Sequence, residues 1–252
     1  MIHIKNKSQI ESMKKGGEIL SFALREVLSQ VREGVSEEEL DELAETIIKE
    51  KGGQEGFKKV PGYIHTICVA TNDVVVHGIP TPYKLKNGDV ICIDCGVFYE
   101  GFHTDMAETV VVGGEDKVSK DIQKFLNTGK TALVEGIKQA KIGNRIGHIS
   151  QVIQSIVEPA GYSIVRNLVG HGVGKDLHEE PEIPGFIKGS ITKTPEIKEG
   201  MTLAIEVIYN MGSRDVVLDR DGWTIRTKDG ALSAVFERSI VVTKDGPKYL
   251  TP

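Results

Sequence analysis

Four acidic residues lie inside apolar, strand-like runs of this chain, where a carboxylate is costly to bury without a partner. Asp94 sits in VICIDCGVFY, Asp105 opens DMAETVVV, Glu206 follows MTLAI, and Glu237 sits in LSAVFERSIVVT. One such acid could be a satisfied core carboxylate, whereas four want a shared explanation. Two divalent cations supply one, since four carboxylates neutralise two M²⁺ ions. Any fold for this chain has to bring those strands to a common point.

The acids also mark a repeat. Lys86-Asn87-Gly88-Asp89-Val90-Ile91-Cys92-Ile93-Asp94 matches Lys198-Glu199-Gly200-Met201-Thr202-Leu203-Ala204-Ile205-Glu206. Both stretches read Lys-x-Gly and end on Ile and a carboxylate. The wider order repeats as well. Ser8 and Glu11 form a capping-box pattern ahead of a helix expected over about residues 9–32. Ser36 and Glu39 repeat the pattern for a second helix, stopped by Gly52-Gly53. Short Val/Ile/Tyr-rich strands follow from about 60 to 112, then helices near 118–140 and 144–160, then strands again from about 163 to the end. Three prolines make the segment 179–200 mostly loop. The expectation is a single catalytic domain over 1–252, with pseudo-repeat halves of about 1–113 and 114–252.

Spacing gives the first geometric test. If a two-residue turn at Tyr99-Glu100 joins the strands bearing Asp94 and Asp105, the two aspartates lie directly opposite, with Cβ atoms about 5 Å apart. A turn one residue later instead makes both ordinary turn acids. His171, flanked by glycines in VGHGVG, suits a nitrogen ligand at a strand end. His77 in VVVHGIP and His178 in LHEEP are similarly placed. His3, His65, His103 and His148 read as surface or packing residues. Cys92 and Cys95 cannot address one metal from a strand, because residues three apart face opposite ways. Gly170-x-Gly172-x-Gly174 has no amphipathic helix after it, and so is not a dinucleotide loop.

Composition narrows the rest. The net charge is −5, with no basic tract, which argues against strong nucleic-acid binding. No apolar run approaches the roughly 20 residues of a membrane span. MIHIKNKSQIESMKK lacks the apolar core of a signal peptide, and three cysteines make no disulfide framework. The cytoplasm is the expected compartment, and a monomer the expected state.

At NDVVVHGIP, DVICIDCGVFYEGFHTD, VGHGVGKDLHEEP, GMTLAIEV and GWTIRTKDGALSAVFE, the chain resembles the bacterial type I methionine aminopeptidases, from about residue 8 to 250. The resemblance implies an α+β pita-bread fold: two pseudo-symmetric halves of antiparallel strands backed by helices around a central dinuclear site. It implies Asp94, Asp105, His171, Glu206 and Glu237 as ligands of two divalent ions. Mixed oxygen and nitrogen ligation suits Co, Mn, Fe or Zn. A water bridging the metals, its pKa lowered towards about 7, would attack the first peptide bond of peptides and nascent chains. Glu206 would shuttle protons, His178 would donate to the developing oxyanion, and His77 would orient the amide and assist departure of the amine. Tyr63, Cys68 and Trp223 match the family's methionine pocket. Val60 and Leu177 stand there where aromatic rings are usual, and Ile64 replaces a typical proline. Val207, Val235 and Arg238 replace a usual proline, glutamine and histidine. His171 and Glu206 are only 35 residues apart, which leaves no room for the type II helical insertion, and no zinc-binding N-terminal extension is seen.

Two alternatives compete with methionine removal. One is a pita-bread peptidase of Xaa-Pro type, a class that usually carries an extra N-terminal domain. The other is a non-catalytic pita-bread module binding peptide or protein, a class that generally loses metal ligands.

Overall fold

The structure is a computed structural model that describes residues 2–252. Helices α1 (Lys7–Ser29) and α2 (Glu37–Glu50) come first, followed by strands β1 (Gln54–Glu55), β2 (Ile67–Thr71), β3 (Val74–Val76), β4 (Val90–Tyr99) and β5 (Phe102–Val111). Helices α3 (Lys120–Ile137) and α4 (Ile146–Val157) lead into β6 (Ser163–Ile164), β7 (Gly170–Gly172) and β8 (Glu179–Ile183). The remaining strands are β9 (Thr202–Asn210), β10 (Val216–Leu218), β11 (Ile225–Thr227), β12 (Ser233–Thr243) and β13 (Gly246–Tyr249). The class is α+β, as expected, and the paired strands run antiparallel. The segment 179–200 is mostly loop, as expected, and holds only β8 and a 3₁₀ turn at Ile191–Lys193.

The main sheet orders its strands β1-β4-β5-β12-β9-β7-β8, with β2 paired to β4, β6 to β9 and β13 to β12. Its two long antiparallel strand pairs, β4·β5 and β9·β12, meet along a short seam, where Ala107 opposes Glu237 and Met106 opposes Arg238. Alternation of side chains then divides the sheet. On one face, α1 and α2 cover β2, β4 and β5 through Leu20, Leu24, Leu40, Ile48, Ile91 and Ile93. Helices α3 and α4 pack Phe125, Leu133, Ile149 and Ile153 against Leu203, Ile205, Tyr209 and Phe236 of β9 and β12. At the seam Arg238 donates to the Ala107 carbonyl at 3.1 Å, the Glu237 carbonyl at 2.7 Å and Glu108 Oε2 at 2.6 Å. One guanidinium thereby bridges β5 and β12 through both of its terminal nitrogens. The opposite face carries the acids.

Two local expectations are corrected. Helix α1 starts on Asn6, whose side chain accepts from the Gln9 N–H while Gln9 Oε1 accepts from the Asn6 N–H. Ser8 lies inside the helix and donates to Asn6 Oδ1. Two overlapping capping patterns competed, and the one nearer the N-terminus captures the first-turn amides. The β4–β5 turn is also one residue later than the Tyr99-Glu100 turn, with Tyr99 opposite Phe102. Glu100 and Gly101 take φ of 46° and 88°, the two left-handed positions of a tight hairpin turn, for which glycine is suited. Asp105 therefore opposes Gly96, and Asp94 opposes Ala107. Moving a turn by one residue moves the pairing by two, so both aspartates still share a face as diagonal neighbours.

The Ser36–Glu39 box is formed as expected, with the Ser36 N–H donating to Glu39 Oε2 at 2.6 Å. Asn6→Ala and Ser36→Ala are each expected to cost about 1 kcal/mol. Ser8→Ala should cost less than Asn6→Ala. Urea unfolding of the three variants checks both statements.

Candidate metal centre and substrate cavity

The antiparallel register writes the site as a line across the sheet. Cys68 of β2 opposes Asp94 of β4, Asp94 opposes Ala107 of β5, Ala107 opposes Glu237 of β12, and Glu237 opposes Glu206 of β9. Asp105 sits two residues from Ala107 on the same face. His171 of β7 opposes Ala204, two residues from Glu206. All five proposed ligands thus project from one face, with the small, fully buried Ala107 between the acids.

Supporting contacts aim these side chains. The Met106 N–H donates to Asp105 Oδ1 at 3.0 Å, and Ser239 of β12 binds both the N–H and the carbonyl of Asp105. His171 Nδ1 lies 2.9 Å from the Gly172 carbonyl. Donation by Nδ1–H there leaves Nε2 with a free lone pair facing Asp105 Oδ2 at 3.9 Å and Glu237 Oε1 at 4.0 Å. Gly170 and Gly172 are required for this approach. A Cβ at Gly170 would fall 2.8 Å from the Ala204 carbonyl oxygen, and one at Gly172 would fall 2.3 Å from that of Glu180.

The donor set fits divalent cations. Asp105, His171 and Glu237 each offer a ligand atom, and these atoms lie within 4.8 Å of one another. Asp94 Oδ1 and Glu237 Oε1 are buried without a hydrogen-bond partner among the described residues, an arrangement that costs free energy until a cation supplies the missing interaction. Burial pushes the Asp94 carboxyl up to about 7 and Glu206 up to about 8, the latter helped by the Asp94 charge. Burial and the neighbouring carboxylates raise Asp105 and Glu237 well above the usual range. His171 is pushed the other way, to about 3, mainly by burial and then by the nearby His178, so it presents a neutral imidazole.

Above this floor lies a cavity of about 300 Å³. Val60, Tyr63, Cys68, His77, Asp94, Asp105, His171, Leu177, His178, Glu206, Trp223 and Glu237 all line it. His77 sits at φ 55° in the turn after β3, a conformation that Gly78 helps to hold. The Val69 N–H donates to the Gly78 carbonyl at 2.9 Å, and a Cβ on Gly78 would fall 1.9 Å from the Val69 carbonyl oxygen. His178 packs edge-on against His171, ring centroids 4.4 Å apart. At one end Phe57, Tyr63, Cys68 and Leu177 form an apolar cluster closed by Val60, Ile79 and Trp223. Tyr63 and Trp223 meet edge to face at 5.1 Å, and the Tyr63 hydroxyl is tied to the Ile67 carbonyl at 2.7 Å, leaving its ring as wall.

Residues 11–244 match metallopeptidase family M24. The methionine aminopeptidase of Clostridium perfringens is 41% identical over 251 residues, covering 100% of this chain and 99% of its own. Methionine aminopeptidase 1 of Bacillus subtilis is 42% identical over the same length, with the same coverage. The chain belongs to metallopeptidase family M24. The crystal structure of methionine aminopeptidase from Thermotoga maritima superposes with a TM-score of 0.95 at 38% identity, covering 100% of this chain and 99% of that one. The fold is the pita-bread fold of the M24 enzymes. A prolidase from Pyrococcus furiosus shares it with a TM-score of 0.80, at 23% identity and over 65% of its own chain. As an M24 metallopeptidase the protein works with divalent metal ions, for which the buried acid and histidine cluster is suited.

The cavity also has walls that the sequence reading missed: Phe57, Val76, Asn167, Leu168, Val169 and Ile208. Ile208 was accessible from strand periodicity, being two residues beyond Glu206 on the same face. Asn167, Leu168 and Val169 belong to no helix or strand and carried no periodic signal. The cysteine and glycine expectations hold. Cys92 and Cys95 pack into different clusters and are free, and β7 leads into β8 without a helix. His103 is a buried packing residue against Phe98.

The raised carboxyls give a signed pH dependence. A carboxyl whose folded pKa exceeds its unfolded value stabilises the fold below the unfolded pKa, about 4. That stability is lost as pH rises through the folded value. For Asp94 and Glu206 the loss runs through about 7 and 8. Metal-free protein should therefore melt at falling temperature from pH 5 to pH 8, whereas metal-loaded protein holds its Tm across that range. Scanning calorimetry before and after chelation measures both, and an unchanged Tm after verified metal removal at pH 8 would count against the site.

Proposed function

We propose that the chain is a methionine aminopeptidase, removing N-terminal methionine from peptides and nascent chains by hydrolysis of the first peptide bond. The observation that carries this reading is the meeting, in one cavity, of the acid and histidine cluster with a closed apolar pocket. The full-length similarity to the Clostridium perfringens and Bacillus subtilis enzymes supports it. Methionine is unbranched and its sulfur makes favourable contacts with aromatic rings, which Tyr63 and Trp223 provide.

Asp94, Asp105, His171, Glu206 and Glu237 would hold two divalent ions. Ions bound there polarise a carbonyl and acidify water enough for attack near neutral pH. Glu206 accepts a proton from the attacking water and delivers it towards the departing amine nitrogen. Partial desolvation lowers both His77 and His178 from the usual histidine value, and His77 is lowered further by His178, which favours the neutral imidazole. Each neutral imidazole has one N–H to donate. That of His178 meets the carbonyl oxygen as negative charge builds, and that of His77 orients the scissile amide. Val60, Tyr63, Cys68, Leu177 and Trp223 enclose the methionine side chain. Residues 1–252 act as one catalytic domain, with pseudo-repeat halves of about 1–113 and 114–252 contributing two carboxylates each.

The compartment in this reading is the cytoplasm, which suits three free, buried cysteines. Among the described residues no helix is long and apolar enough to cross a membrane. The working state is a monomer, to be checked by size-exclusion chromatography with light scattering.

Incubation with Met-Ala-Ser should release methionine, and an Xaa-Pro peptide should stay intact. No methionine release with Co, Mn, Fe or Zn would sink the reading. Glu206→Gln should lower kcat by roughly 10²-fold or more, and His178→Ala by about 10²-fold.

A further inference from the structure

His178 reaches the cavity from the segment between β7 and β8, and that segment is held from behind by a buried ion pair. Lys5 Nζ lies 2.5 Å from Glu179 Oε2, with side chains 4% and 5% exposed. The pair joins the start of the chain to the residue directly after His178. Glu179 Oε1 accepts from the Lys175 N–H at 2.7 Å and faces the Asp176 N–H at 3.4 Å. One carboxylate therefore closes the turn from Gly174 to Glu179 on itself. Lys5 is fixed in its own right: its N–H donates to the Gly200 carbonyl at 2.9 Å, and Nζ reaches the His3 carbonyl at 3.3 Å.

The crossing leaves no slack. A Cβ on Gly174 would fall 2.5 Å from both Lys5 Cε and Glu179 Oε1. The Gly174 carbonyl accepts from the His103 N–H at 2.6 Å, tying the same turn to β5, the strand that carries Asp105. Neither Lys5 nor Glu179 lines the cavity, whereas Leu177 and His178 do.

A buried ion pair is weak evidence for stability, since apolar residues of similar volume often serve as well. This one has a geometric property that apolar contacts lack. Its carboxylate binds named backbone amides, and so fixes the backbone direction of the residues leading into His178. We propose that Lys5 and Glu179 are positioning residues for His178, setting its imidazole against the peptide carbonyl during hydrolysis. The inference rests on the reading of His178 as a donor to that oxygen. Misplacement of a catalytic group by about 1 Å can cost about 10²-fold in rate.

The test uses the full chain, metal-loaded, on Met-Ala-Ser. Lys5→Met should lower kcat by about 10-fold or more, with KM and metal stoichiometry near wild type. Lys5→Arg should restore most of the rate, because it keeps the charge. In a His178→Ala background, Lys5→Met should change kcat by less than about twofold, since its effect passes through His178. Equal fold losses in both backgrounds, or a loss of bound metal, would overturn the proposal. Should Lys5→Met fail to fold, the Lys5→Met/Glu179→Met pair removes both charges together, and a folded double variant with wild-type kcat would overturn it as well. Unimpaired turnover by His178→Ala overturns the role of His178 and the inference with it; an impaired His178→Ala with additive losses overturns the inference alone.

Discussion

Desolvation raises the Asp94, Asp105, Glu206 and Glu237 carboxyls together, and the charges of Asp94 and Glu206 push Asp105 and Glu237 higher still. Such a cluster is unstable unless protons or cations neutralise it, and the rest of the molecule is arranged to hold it in place. Two long antiparallel strand pairs supply the acids, and their seam at Ala107 and Glu237 joins the two acid pairs. The repulsion is met by stiffness on the far side of the sheet. There the helical layers pack on β4·β5 and β9·β12, and Arg238 bridges the seam.

Division of labour between sheet and loops follows from the same constraint. The acids sit on central strands, where hydrogen bonding on both edges limits movement. The groups proposed to meet the substrate come from less regular chain. His77 rides a left-handed turn anchored on β2, and His178 a turn closed around Glu179. Loops place side chains where no strand points, but they need anchors of their own. The Gly78 contact with Val69 and the Lys5–Glu179 pair serve that purpose.

The apolar pocket shows how a cavity can be kept while its wall varies. Val60 and Leu177 contribute aliphatic side chains to the wall. Phe57, Tyr63 and Trp223 close the space around Cys68, with Tyr63 meeting both Phe57 and Trp223 edge to face. Discrimination by such a wall is bounded by apolar contact, worth about 1–3 kcal/mol per methylene. In the proposed reading, commitment to chemistry rests with the polar floor.

Much of this was readable from residue order, because local patterns carry their own physics. Acids in apolar runs, the Lys-x-Gly repeat and the glycines around His171 each limit conformation or burial over fewer than ten residues. The face shared by Asp94 and Asp105 was legible even with the turn displaced, since period-two alternation survives a shift of pairing by two. The displaced turn and the Asn6 cap were not, because competing local solutions differ there by little free energy. Asn167, Leu168 and Val169 left no trace, as irregular backbone has no period to read. Lys5 and Glu179 are ordinary surface-type residues in the linear chain. Their meeting across a sequence separation of 174 residues is a long-range packing outcome. Residue order thus settled which groups had to be neutralised and on which side of a strand they lie. Folding settled which distant segments clamp them, since that depends on contacts that exist only once the sheet has closed its seam.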